Sequence, residues 1–83
     1  MKVRYFAWLR ERLNRGEEEV SPPAEVLTVG DLIQWLRSRD EAADLAMQKP
    51  GLIKAAIDTE IVPHSAPIAG AKVIALFPPM TGG

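Results

Sequence analysis

The chain has no cysteine, which excludes disulfide staples, thiolate-bound zinc and thiol nucleophiles together. It has one histidine, His64, in a Pro-containing loop with no second ligand or orienting acid beside it in sequence. Paired-His metal sites and Cys–His catalysis are therefore excluded, and no metal is expected. A basic excess is also missing: ten Lys and Arg face eleven Asp and Glu, for a net charge of −1. Without that field a nucleic-acid partner is not expected. No apolar run approaches the roughly 20 residues of a membrane-spanning helix. Met1-Lys2-Val3-Arg4 leads into an aromatic stretch soon broken by Arg10, Glu11 and Arg12, unlike a secretory signal, so no membrane and a cytoplasmic location are expected. There is no internal repeat, and no Gly-rich phosphate loop follows a strand.

What is present is an 83-residue chain of 47% hydrophobic and 25% charged residues. That length gives one small domain, and that composition is ordinary for a folded globular protein. Lacking staples, it depends on its core alone or on docking to a partner.

Lys2 to Ala7 alternates as a strand, with Val3 and Tyr5 on one face and Arg4 and Phe6 on the other. Leu9 and Leu13, four apart, predict a short helix over about 8–14, with Gly16 at its C-terminal stop. Glu17 to Val20 suits a charged edge strand paired antiparallel with the first. Thr28 and Asp31 have capping-box spacing. Val29, Leu32, Ile33 and Leu36 then predict the main helix over about 29–38. Asp40 to Gln48 reads as a second short helix ended by Pro50-Gly51. Ala55 to Ile57 and Ile61-Val62 read as strands around an Asp58-Thr59-Glu60 turn, with Pro63, Pro67 and Gly70 punctuating a loop. Val73 to Phe77 is apolar without interruption, the mark of a strand covered on both faces. The economical α+β arrangement is a mixed sheet packed on one main helix. Should the last strand lie parallel to the first, a right-handed crossover is expected.

Little in the interior suggests chemistry. Glu17, Glu18 and Glu19 read as a solvated edge rather than as paired catalytic acids, and Asp58 and Glu60 as turn formers. Trp8 and Trp35 read as core or interface residues rather than cofactor stackers. The end of the chain is different: Phe77-Pro78-Pro79-Met80-Thr81-Gly82-Gly83. Two prolines stop the ladder and favour an extended stem, and six residues past Phe77 reach at most about 20 Å. Gly-Gly carries no side chain, so its backbone can enter a narrow channel. Chance places Gly-Gly at a terminus in about 0.5% of chains. Together with the apolar strand and the Pro-Pro stem, it predicts a functional tail whose distinctive group is the Gly83 carboxylate. That group is ionised and inert at neutral pH, so acyl chemistry requires prior activation, which adenylation would supply.

The stretch Lys2-Val3-Arg4-Tyr5-Phe6-Ala7, then Leu9-Arg10-Glu11, Thr28-Val29 with Leu32, and above all Leu76 through Gly83 resemble the small subunit of molybdopterin synthase, the MoaD family of ubiquitin-like sulfur carriers. The resemblance covers essentially the whole chain. It implies a β-grasp domain over 1–77 followed by a flexible extended tail over 78–83. It also implies a carrier that is not catalytic alone. Gly83 would be adenylated by a MoeB-like enzyme at the expense of ATP, then converted to a thiocarboxylate by a sulfur donor, with Gly82 as spacer. A MoaE-like large subunit, in a heterotetramer, would receive the tail and pass sulfur to cyclic pyranopterin monophosphate. No cofactor would be bound permanently. Phe6, Ile61 and Phe77 match an apolar surface patch in that family, and Pro78, Pro79, Met80 and Thr81 complete the partner-binding stretch. An apolar cluster of this kind left exposed marks an interface, with a second core layer as the alternative.

Two departures bear on partner contacts. Ala69-Gly70-Ala71-Lys72 stands where the family often has an acidic turn, and Asp58 where it often has Asn. Other readings stay open: a carrier for thiamin or tRNA thiolation, a β-grasp interaction module, or a modifier joined to lysines.

Overall fold

A computed structural model describes residues 1–79. The elements run β1 (Lys2–Tyr5), α1 (Ala7–Leu13), β2 (Glu17–Glu19), α2 (Val29–Arg39), α3 (Glu41–Ala46), a 3₁₀ turn (Pro50–Leu52), β3 (Lys54–Ile57), β4 (Glu60–Val62) and β5 (Val73–Phe77). The strands form one mixed sheet in the order β2-β1-β5-β3-β4. β5 is central, parallel to β1 and antiparallel to β3, while β2 and β4 form antiparallel edges. The uninterrupted apolar run of β5 thus occupies the central strand of the sheet, but it is covered on one face only: Ile74 and Leu76 are buried in the core, while Val73, Ala75 and Phe77 stay half-buried on the other face, which no helix among the described residues covers.

One face of the sheet is dry. Val3 and Tyr5 of β1, Ala55 of β3 and Ile74 and Leu76 of β5 are buried with Val29, Leu32, Ile33 and Leu36 of α2. The period-2 and 3.6 patterns therefore meet in a single core. α2 starts at a closed capping box: Asp31 N–H donates to Thr28 Oγ1 at 3.1 Å, and Thr28 N–H donates back to the Asp31 carboxylate at 3.3 Å. Asp40 caps α3 by accepting from Ala43 N–H at 2.7 Å, and this break splits the helical stretch into two packed pieces. No helix among the described residues is long and apolar enough to cross a membrane.

Several boundaries differ from the sequence reading for identifiable reasons. β1 ends at Tyr5 rather than Ala7, because Phe6, still extended, is already the residue before α1. Asn14, not Gly16, takes the left-handed position that closes α1, at φ 56°, a conformation its short polar side chain tolerates. The predicted second helix shortens to Glu41–Ala46, and Pro50–Leu52 winds into a 3₁₀ turn with Pro near its start. His64 has a positioning role: its Nε2–H donates to the Ile53 carbonyl at 2.6 Å, and its own carbonyl accepts from Gly30 N–H at 2.9 Å. Trp8 and Trp35 are partly buried against the core, each with an arginine over its ring, Arg12 at 4.5 Å and Arg39 at 4.9 Å.

Candidate functional site: the open sheet face and the root of the tail

Alternation sends the odd-numbered residues of β1 to the core and leaves Lys2, Arg4 and Phe6 on the open face. In β5, Ile74 and Leu76 turn inward, so Val73, Ala75 and Phe77 turn outward. The registers then align Glu17, Arg4, Ala75, Ala56 and Ile61 in one row across all five strands. The charged end of that row is self-satisfied, since Glu17 reaches Lys2 at 3.2 Å and Arg4 at 3.6 Å. The rest is small and apolar. Phe6, Ala56, Val73 and Ala75, with Arg4 and Lys72, line a shallow depression of about 600 Å³.

Phe6 is 44% exposed and Ile61 75% exposed. Phe6 N–H donates to the Leu76 carbonyl at 3.2 Å, which carries the β1–β5 ladder one step further and places Phe6 beside Phe77. Phe77 is half-buried on the same face. Ile61 stands at the far edge on β4, joined to the Phe pair by the Ala56 and Ala75 floor rather than by contact. These alanines and Val73 were not singled out in the sequence, although the strand parity that orients Arg4 and Phe77 also orients them. Pro78 is buried, continuing the inward alternation of Ile74 and Leu76, and Pro79 is half-buried. The first proline of the tail stretch is thus held against the domain. Met80, Thr81, Gly82 and Gly83 lie outside the described residues.

The turn bounding the depression is fixed by Asp58, whose carboxylate accepts from Val73 N–H at 3.0 Å and Lys72 N–H at 3.3 Å. Asp58 and Thr59 both adopt positive φ, 46° and 79°. Asp58 thereby ties the β3–β4 turn to the start of β5, the turn-forming role expected of it.

Glu18 corrects the solvated-edge reading. Its carboxylate accepts the Tyr5 hydroxyl at 2.7 Å and pairs with Arg15 at 2.9 Å and Arg39 at 3.1 Å. Register explains this: opposite Val3, it points to the helix side of the sheet, while Glu17 and Glu19 point away. Burial by itself would raise the Glu18 carboxyl, but the Tyr5 hydrogen bond and the two guanidiniums prevail and hold it below the usual carboxylate range. The Tyr5 hydroxyl is pushed up, by burial first and then by Glu18. This satisfied network reads as structure, not catalysis. The face as a whole is open and largely apolar beside the outgoing end of the central strand.

A profile described as the ThiS family matches residues 3–83. The molybdopterin synthase sulfur carrier subunit of Escherichia coli (strain K12) is 32% identical over 83 residues, covering 100% of this chain and 99% of that protein. Among solved structures, SAMP1 from Haloferax volcanii is 25% identical with a TM-score of 0.73, covering 100% of this chain and 98% of that one. Molybdopterin converting factor subunit 1 from Pyrococcus furiosus is 27% identical with a TM-score of 0.69, covering 94% of each. The mixed sheet wrapped on α2 is the β-grasp that these structures share. With nearly its whole length matched, the chain belongs to the ThiS family of ubiquitin-like sulfur carriers.

Proposed function

We propose that this protein is the sulfur carrier subunit of a molybdopterin synthase, with Gly83 as its working residue. The observation that carries the reading is the end-to-end match with the Escherichia coli sulfur carrier subunit. The geometry supports it, because β5 brings the root of the tail to the corner where Phe6 and Phe77 border the open face. In the proposed sequence, a Gly83 carboxylate oxygen attacks the α-phosphorus of ATP on an adenylating enzyme of the MoeB type, and pyrophosphate leaves. A sulfide-level nucleophile from a sulfur donor then displaces AMP from the mixed anhydride, leaving a thiocarboxylate. Gly82 lets the backbone pass a narrow channel. Phe6, Ile61 and Phe77 dock the large subunit, a MoaE-like protein, while Pro78 to Thr81 guide the tail. Docking raises the local concentration of the sulfur at its acceptor, cyclic pyranopterin monophosphate, to about the mM range.

The test is reconstitution: the thiocarboxylated chain, mixed with a MoaE-like subunit, is expected to bind it and convert the pterin precursor to the dithiolene. Absence of binding would overturn the molybdopterin assignment. The likeness to SAMP1 favours a second reading, conjugation of Gly83 to lysines, for which the same reconstitution in a cell extract would yield lysine adducts instead.

A further inference from the structure

A second surface lies away from the open face. Trp8 and Arg12 of α1, Leu45 of α3 and Lys49 and Leu52 around the 3₁₀ turn line a groove of about 360 Å³. Leu45 is 63% and Leu52 47% exposed, so two large apolar side chains stand open in one groove. The charges in its lining are cations alone, Arg12 and Lys49. Among the described residues neither lies in an ion pair. Arg12 spends the face of its guanidinium on the Trp8 ring at 4.5 Å, which leaves the N–H edge for a carboxylate.

The groove and the open face meet at one residue. Ala7 adopts φ 54°, a left-handed conformation that costs a residue with a Cβ roughly 1–2 kcal/mol. That turn sends Phe6 to the open face and Trp8, two residues on, into the groove. Because Phe6 N–H is bonded to the Leu76 carbonyl, the open face borders the root of the tail, and the groove begins two residues further along the chain at Trp8. Strain of this kind is retained where the surrounding structure uses it.

We propose that this groove is a second docking surface, which takes an acidic protein segment carrying one large apolar anchor while the open face is occupied. The anchor fills the space between Trp8, Leu45 and Leu52, and flanking carboxylates meet Arg12 and Lys49. Concavity favours a projecting side chain over a flat bilayer. The use of the groove, to hold a second protein beside the tail during sulfur loading, rests on the carrier reading; the binding itself does not.

The test uses the full chain and a synthetic peptide with a Leu-Phe anchor between Glu-Asp flanks, followed by NMR at the Trp8 indole and the Leu45 and Leu52 methyls. Saturable shifts confined to these groups are expected, with affinity falling about tenfold when salt rises above physiological strength. Arg12→Glu and Leu45→Asp should each weaken peptide binding about tenfold, with circular dichroism unchanged. Equal binding of a Lys-flanked peptide, shifts on the open face instead, concentration-dependent shifts without peptide, or binding only to anionic vesicles would overturn the proposal. Loss of Gly83 loading in the wild-type chain would strike the carrier reading and leave the groove intact.

Discussion

Glu18 is the residue whose surroundings depart furthest from its sequence context. Flanked by two other glutamates it looks solvated, yet Tyr5 of β1, Arg15 of the loop before β2 and Arg39 at the end of α2 converge on it. Strand parity could have suggested its direction, but not the arrival of Arg39 from the end of α2. Glu18→Gln keeps the shape and removes the charge, so it should cost about 1.5–3 kcal/mol, the range for hydrogen bonds to a charged group. Urea titration at neutral pH measures this. The same network predicts acid sensitivity. Glu18 is held low against its own burial, and Asp40 is held low by the Ala43 N–H first, with Arg15 adding to it. Carboxyls depressed in the folded state bind protons more readily in the unfolded chain. Their contribution is therefore complete above the unfolded values of about 4 and is lost as pH falls through the folded ones. Stability should be level from pH 7 to about 5 and drop below about 4, with a shallower drop in Glu18→Gln. A wild-type curve flat to pH 3 would contradict this.

At the scale of elements, local rules and structure agree where the signal is complete within one segment. The α2 cap is an example: Thr28 and Asp31 are three apart, and both reciprocal bonds form. Thr28→Ala should cost about 1 kcal/mol, seen as a fall in Tm of roughly 4–8 °C for a domain of this size. An unchanged Tm would mean that the box contributes nothing beyond what water supplies. β5 was equally legible, because an unbroken apolar run has few places to go except the centre of a sheet. What stayed hidden depended on geometry between segments. Asn14 and Ala7 both take positive φ because the chain must turn from β1 into α1 and back to β2 within a few residues. No propensity announces which residue absorbs such a turn.

For the whole molecule, sequence pattern was enough for a mixed sheet on one main helix and for the outward direction of Phe6, while the β-grasp and the set Phe6, Ile61 and Phe77 came from the family resemblance. The continuity of that face was not legible: only the register places Ala56 and Ala75 between Ile61 and Arg4. Ile61→Asp lies on an exposed edge, so it should leave the thermal transition within about 0.5 kcal/mol of wild type. It should weaken partner binding at least tenfold in a pull-down with the large subunit or by calorimetry. Unaltered affinity would remove β4 from the docking surface. Everything else turns on Gly83, because the domain carries no thiol or paired His and its sulfur would ride on the main chain. The most direct measurement is intact-mass spectrometry after incubation with ATP, the adenylating enzyme and a sulfur donor. An oxygen-for-sulfur mass gain localised to Gly83, and absent when Gly83 is deleted, is the predicted result; an unchanged mass with a competent activating enzyme would contradict it.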